Sequence, residues 1–194
     1  AATLWLVDNQ LESGGWGSHH SPRPIEVFAS APGSQDAFRV ATTGLAVSAL
    51  LDSPFGGEAK ATAVQRGIEH LLEHHAVRRQ SGIEHYNVWA FGFALQAFGE
   101  CLSEGASPKH EGRVRQACSA LIEKLAGYQS VDGGWGYLSL QGYRTHPPAA
   151  SSMSFTTATI LVGLARAREA GIEVPEELLA RAIASLRRCR MPMG

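Results

Sequence analysis

The sequence predicts an all-α chain in which buried inner helices alternate with amphipathic outer ones. Helical periodicity recurs along the 194 residues, while no stretch shows the apolar–polar alternation of a strand. The helical stretches are of two kinds, some apolar all round and others apolar on one side. A Gln…Gly-Gly-Trp-Gly turn also occurs twice.

Seven helices are expected, over Ala1–Asn9, Ala41–Leu51, Ala61–His75, Tyr86–Leu102, Glu111–Tyr128, Ser154–Ala170 and Glu176–Arg190. Their ends carry readable signals. Pro54 and Gly56-Gly57 follow the second helix, and Gly171 follows the sixth. Ser152 or Ser154 suits a cap, and Pro175 precedes the acidic pair Glu176-Glu177 at a first turn. Tyr86–Leu102 and the first part of the sixth helix, Ser154–Leu164, have no polar face, so both are expected to be buried on all sides. The third, fifth and seventh helices carry charge on one face and belong on the outside. Alternation of this kind implies an inner ring of helices wrapped by an outer one, an α/α toroid.

The repeated turn supports the same architecture. Gln10-Leu-Glu-Ser-Gly-Gly-Trp16-Gly matches Gln129-Ser-Val-Asp-Gly-Gly-Trp135-Gly, 119 residues further on. A partial third copy, Arg190-Met-Pro-Met-Gly194, begins 61 residues after Gln129. The period is therefore about 60 residues, with a degenerate member expected near residues 70–75. The last copy is cut short at Gly194, so residues 1–194 are expected to form one domain, a partial toroid from a longer chain. The rest of that chain or another subunit would close the ring.

Each residue type in the turn has a mechanical use. The Gln10 or Gln129 amide can bond carbonyls freed at a helix end. The pairs Gly14-Gly15 and Gly133-Gly134 permit a tight exit with positive φ. Trp16 or Trp135 folds back over the helix end, its indole N–H seeking an acceptor. Asp132, like Asp8, is expected to make a turn or helix-end hydrogen bond. This Gln-x-x-x-Gly-x-Trp pattern resembles the QW repeat of squalene and oxidosqualene cyclases, whose architecture also occurs in the β-subunits of protein prenyltransferases. The resemblance spans nearly the whole chain at the level of fold. It implies an isoprenoid cyclase or transferase, or a domain related to one.

The catalytic motifs of those families are not in this sequence. Squalene-hopene-type cyclases protonate an alkene with Asp-x-Asp-Asp, whereas Asp8, Asp36, Asp52 and Asp132 stand isolated. Prenyltransferases use an Asp, Cys and His zinc site, and no Asp-x-Cys pair occurs. His70-Leu-Leu-Glu73-His74 matches a zinc-protease pattern. However, Val64, Ile68, Leu71, Leu72 and His75 form the apolar stripe of that helix. His70, Glu73 and His74 are therefore expected on its solvated face, with no metal bound. No Cys-Gly-Glu-Gln thioester run is present. No cofactor is expected.

Composition narrows the partners. Hydrophobic residues are 44% and charged residues 18%, the balance of a folded domain. A net charge of -1 gives no footprint for nucleic acid. No apolar run reaches the ~18 residues of a membrane span, and no basic-then-apolar signal segment opens the chain. Cys101, Cys118 and Cys189 are too few and too widely spaced for a disulfide framework. Buried reduced thiols are expected, fitting a reducing, cytoplasmic compartment.

Inner-helix N-termini should line the mouth of a toroid's cavity. That singles out Arg39, Thr42 and Thr43, then His85, Tyr86 and Trp89, then Ser152, Met153, Phe155 and Thr156. Tyr86, Trp89, Phe91, Phe93 and Phe155 could wall an apolar pocket and stabilise a carbocation. The long loops Ser18–Asp36 and Leu138–Ala150 follow the two turns and should share one rim. They bring His19-His20, Arg23, Tyr143, Arg144 and His146, and Arg23, Arg39 and Arg144 could clamp an anion such as a diphosphate. The leading expectation is an apolar, isoprenoid or lipid-like ligand in a central cavity. A non-catalytic binding or scaffold domain of the same fold is the second. A carbohydrate-active toroid enzyme using Glu12, Glu26, Asp36 and Glu84 is the third.

Overall fold

The computed structural model describes residues 1–18, 34–78, 84–139 and 152–190, and at residues 34, 84, 85, 138 and 139 the backbone alone. These residues form seven α-helices: α1 (Ala2–Asp8), α2 (Ser34–Asp52), α3 (Gly57–His74), α4 (Asn87–Ser103), α5 (Glu111–Tyr128), α6 (Ser154–Glu169) and α7 (Glu176–Arg188). A short 3-10 turn, Pro108–His110, leads into α5. One two-residue pair interrupts the helical pattern: β1 (Glu84–His85) runs antiparallel to β2 (Leu138–Ser139), with His85 opposite Leu138. No described helix is long and apolar enough to cross a membrane.

The even-numbered helices lie side by side, α2 against α4 and α4 against α6. Glycine lets them approach closely. A Cβ on Gly44 would stand 2.6 Å from the Phe93 carbonyl oxygen, and one on Gly163 2.7 Å from that of Gly92. All three run in the same direction, so their N-termini gather at one end and their C-termini at the other. The odd-numbered helices cover one flank of this row, α3 on α2, α5 on α4 and α7 on α6.

Sequence periodicity accounts for the covering helices. In α3, Val64, Ile68, Leu71 and Leu72 recur at helical spacing and are buried. In α7, Leu178 and Ala182 face inward, Glu176 and Glu177 sit at the positive end, and Arg187 and Arg188 at the negative end. Between the two rows lie the fully buried Leu50, Ile68, Phe91, Leu95, Phe98, Leu121 and Leu164. Gly171, with φ 78°, follows the last residues of α6 where the stop signal stands. The end of α3 at His74 falls where the degenerate repeat member is expected.

Five expectations are corrected. The opposite flank of the even-numbered row is not covered by described residues, so the apolar stretch of α6 is not buried on all sides, with Phe155 51% and Val162 45% exposed, whereas no residue of α4 from Asn87 to Leu102 is exposed. Helix α2 starts at Ser34, seven residues before the expected Ala41. Neither Ser152 nor Ser154 caps α6, because Met153 holds the cap position and no side chain bonds there. Cys189 is exposed just past α7, while Cys101 and Cys118 are buried and free. His70 is buried rather than solvated, for a reason given by the turn it packs on.

Candidate functional site

The two Gly-Gly-Trp turns are built alike, atom for atom. Gln10 Nε2 donates to the carbonyls of Gly14 (2.7 Å) and Ala63 in α3 (2.8 Å). Gln129 Nε2 donates to those of Gly133 (2.8 Å) and Leu178 in α7 (3.0 Å). Trp16 Nε1 reaches back to the Leu6 carbonyl of α1 at 2.9 Å, and Trp135 Nε1 to Leu125 of α5 at 2.8 Å. The backbone N–H of Trp16 donates to Thr43 Oγ1 of α2, and that of Trp135 to Thr157 Oγ1 of α6. Arg66 donates to the Leu11 carbonyl and Arg181 to the Ser130 carbonyl. Each turn thus fastens one even-numbered helix to the odd-numbered helices before and after it.

This geometry explains two neighbours of the turn. Gly14 and Gly133 have φ of 84° and 87°, and a Cβ at either would lie 2.5 Å from the Arg66 or Arg181 carbonyl oxygen. Gly15 lies against the His70 ring, whose Nδ1 pairs with the Ser13 carbonyl at 3.0 Å. Burial pushes the His70 imidazole below its usual range, against the raising effect of that bond. Asp132 makes the expected turn bonds, accepting from the Gly134 N–H and from Ser152 Oγ at 2.7 Å. Burial raises its carboxyl, but these bonds outweigh burial and hold it below the usual value.

At the N-terminal ends of α2, α4 and α6, on the uncovered flank, six aromatic rings form one connected surface. Phe38 contacts Tyr86 (5.0 Å between centroids), and Tyr86 contacts Tyr137 (5.2 Å). Tyr137 meets both Trp89 and Phe155, each at 6.0 Å. Trp89 stacks on Phe155 at 6.0 Å and on Phe93 at 5.7 Å. Phe155 is exposed and the other five rings are half-buried, which leaves π-faces and edges accessible. Tyr86 holds φ 63°, a left-handed conformation unfavourable for a residue with a side chain. It is kept there by its N–H to the Tyr137 carbonyl (2.9 Å) and by the Trp89 N–H to its own carbonyl (2.9 Å).

The structure therefore brings together Tyr86, Trp89, Phe93 and Phe155 among the expected residues. It separates others. Thr43 is fully buried in the Trp16 turn and does not reach the mouth of any cavity. Thr156 is buried too. Phe91 points the other way, fully buried edge-on to Tyr128 with the Lys124 ammonium 5.3 Å from its centroid. Arg39 lines a different hollow, of about 220 Å3, with Asp36, His70, Glu73 and His74. His85 lies in β1, opposite Leu138. The side chain of His85, and Arg144, His146, His19-His20, Arg23, Glu26 and Tyr143, lie outside the described residues. Phe38 and Tyr137 are additions that sequence reasoning missed. Tyr137 follows Trp135 by two residues, which places it at the α6 entrance, and Phe38 belongs to the part of α2 that precedes the expected helix start at Ala41.

No protein-family model matches the chain, and no curated protein and no solved structure does.

Proposed function

We propose that this chain is part of an α/α toroid of the terpenoid-cyclase and prenyltransferase kind. In this reading it binds an apolar, isoprenoid or lipid-like molecule on the aromatic surface around Trp89. The observation that carries the reading is that surface: six rings from three parallel helices and their entry turns, in mutual contact, on the flank that the odd-numbered helices leave uncovered. Aromatic faces bury large area against hydrocarbon and attract positive charge through their quadrupoles. The clasped turns support the toroid part of the reading, since a bond set that ties α2 to α1 and α3, and α6 to α5 and α7, suits a ring of alternating helices. Completion of the ring by further chain or another subunit belongs to the same proposal.

A second reading, a binding or scaffold domain without catalysis, has its support in the sequence. The four aspartates are isolated and no Asp-x-Asp-Asp run occurs. Fluorescence titration tests the shared claim. Farnesol or geranylgeraniol should give a saturable change in tryptophan emission and maltohexaose none. A saturable response to the oligosaccharide with none to either isoprenoid would overturn it.

A further inference from the structure

The two Trp turns put two pairs of helices in equivalent positions. Trp16 and Trp135 lie 119 residues apart, and so do Leu6 and Leu125, whose carbonyls their indoles bond, which matches α1 to the last turns of α5. Thr43 and Thr157, which accept the two Trp backbone N–H groups, lie 114 residues apart and match α2 to α6. In the second pair, α4 packs on α5 and α6 at once. There the Phe91 ring meets Tyr128 edge-on and carries the Lys124 ammonium over it. Gly163 lies against the Gly92 carbonyl, and Gly99 against the backbone of Arg166. Arg166 Nε stands 3.4 Å from Glu100 Oε1.

The matching groove, between α1 and α2, holds no described helix. Leu121, Leu125 and Tyr128 of α5 are buried, whereas their counterparts Ala2 and Asn9 are exposed, Leu6 is half-buried, and α1 buries no residue at all. Trp5, the counterpart of Lys124, is 62% exposed. On α2, Ala49 is exposed where Gly163 of α6 is buried. The charge is inverted too, since Asp52 stands at the position of Arg166.

We infer that the groove between α1 and α2 takes one α-helix of another polypeptide, parallel to α2 as α4 is parallel to α6. The walls state its chemistry. Small residues where α4 carries Gly92 and Gly99 let its backbone approach α2 closely. An apolar face covers Trp5 and Leu6 and removes them from water. A Lys or Arg where α4 carries Glu100 meets Asp52. An even-numbered helix of a second copy does not fit, because it brings its own odd-numbered helix, and α1 already holds that place. The inference rests on the ring arrangement proposed above and is independent of the ligand on the aromatic surface.

The probe is a synthetic peptide of Asn87–Ser103 carrying Trp89→Phe, Cys101→Ala and Glu100→Lys, and its control is the same peptide with Glu100 kept. Titrated into the protein, the lysine peptide should shift tryptophan emission to the blue with saturation and bind at least tenfold more tightly than the control. Asp52→Asn should abolish that preference, and Ala49→Phe, at an exposed position, should abolish binding; both should leave the farnesol response unchanged. No binding, equal affinity for the two peptides, or binding that survives Ala49→Phe overturns the groove and leaves the ligand reading to the farnesol titration. Sedimentation equilibrium of the protein alone should give a monomer. A dimer that Ala49→Phe breaks puts a second copy in the groove and overturns the inference as well. Should Ala49→Phe fail to fold, the ratio between the two peptides in the unmodified protein still decides.

Discussion

The indole N–H of Trp135 bonds the carbonyl of Leu125, ten residues back at the end of α5, at 2.8 Å. Trp16 repeats this bond on Leu6 of α1 at 2.9 Å. Trp135 is fully buried, so its ring both seals the helix end and fills the space between α5 and α6. Trp135→Ala removes that volume and the bond together, and should cost about 3–5 kcal/mol. Urea unfolding followed by circular dichroism measures it; a loss under about 1 kcal/mol contradicts the fastening role.

The turn glycines give a prediction with two signs. Gly133→Ala meets both a positive φ and the Arg181 carbonyl, so it should destabilise by more than about 1–2 kcal/mol. Gly112 lies exposed in the first turn of α5 with open space around its Cβ position. Gly112→Ala should therefore stabilise by up to about 1 kcal/mol. Thermal unfolding of the pair reads both.

Acid should weaken the fold through His70. Its folded pKa is depressed by burial, so the unfolded chain binds the proton more readily. The stability is intact above the unfolded histidine pKa, about 6.5. It falls as pH drops through that value toward the folded one. His75, depressed by the same cause, adds to the slope. His70→Gln should flatten the dependence of unfolding free energy on pH between about 7 and 5. An unchanged slope would show that His70 is not held neutral.

The thiols should divide by burial. Cys101 and Cys118 are pushed up to about 11 and about 12 by desolvation, whereas Cys189 is exposed. A chromogenic disulfide reagent at pH 8 should titrate one thiol in the native protein and all three in urea. Rapid reaction of more than one native thiol contradicts the burial.

Much of this arrangement is legible in the sequence because short-range rules govern it. Six of the seven helices lie close to their periodic stretches. The identical Gln-to-Trp spacing announces two identical bond sets. What the sequence hides is direction within an apolar helix. In α4, Phe91 and Phe93 read alike, yet Phe91 faces α5 and Phe93 the open flank, since only the neighbours distinguish the sides of a helix with no polar face. His70 reads as solvated for a similar reason: helical periodicity does not contain the Gly14-Gly15 turn, which arrives from 55 residues away and covers the ring. The exposure of Phe155 and Val162 likewise depends on what stands beyond the inner row.

On the proposed function, an apolar ligand sits on the aromatic surface around Trp89. The direct measurement is the calorimetric affinity for farnesol of Trp89→Ala beside Trp5→Ala, an exposed tryptophan on α1 that no ring of the cluster touches. Loss of the central ring should weaken binding at least tenfold, about 1.4 kcal/mol or more, while Trp5→Ala binds as the unmodified protein does. Equal affinity in Trp89→Ala and the unmodified protein, or a loss confined to Trp5→Ala, would contradict it.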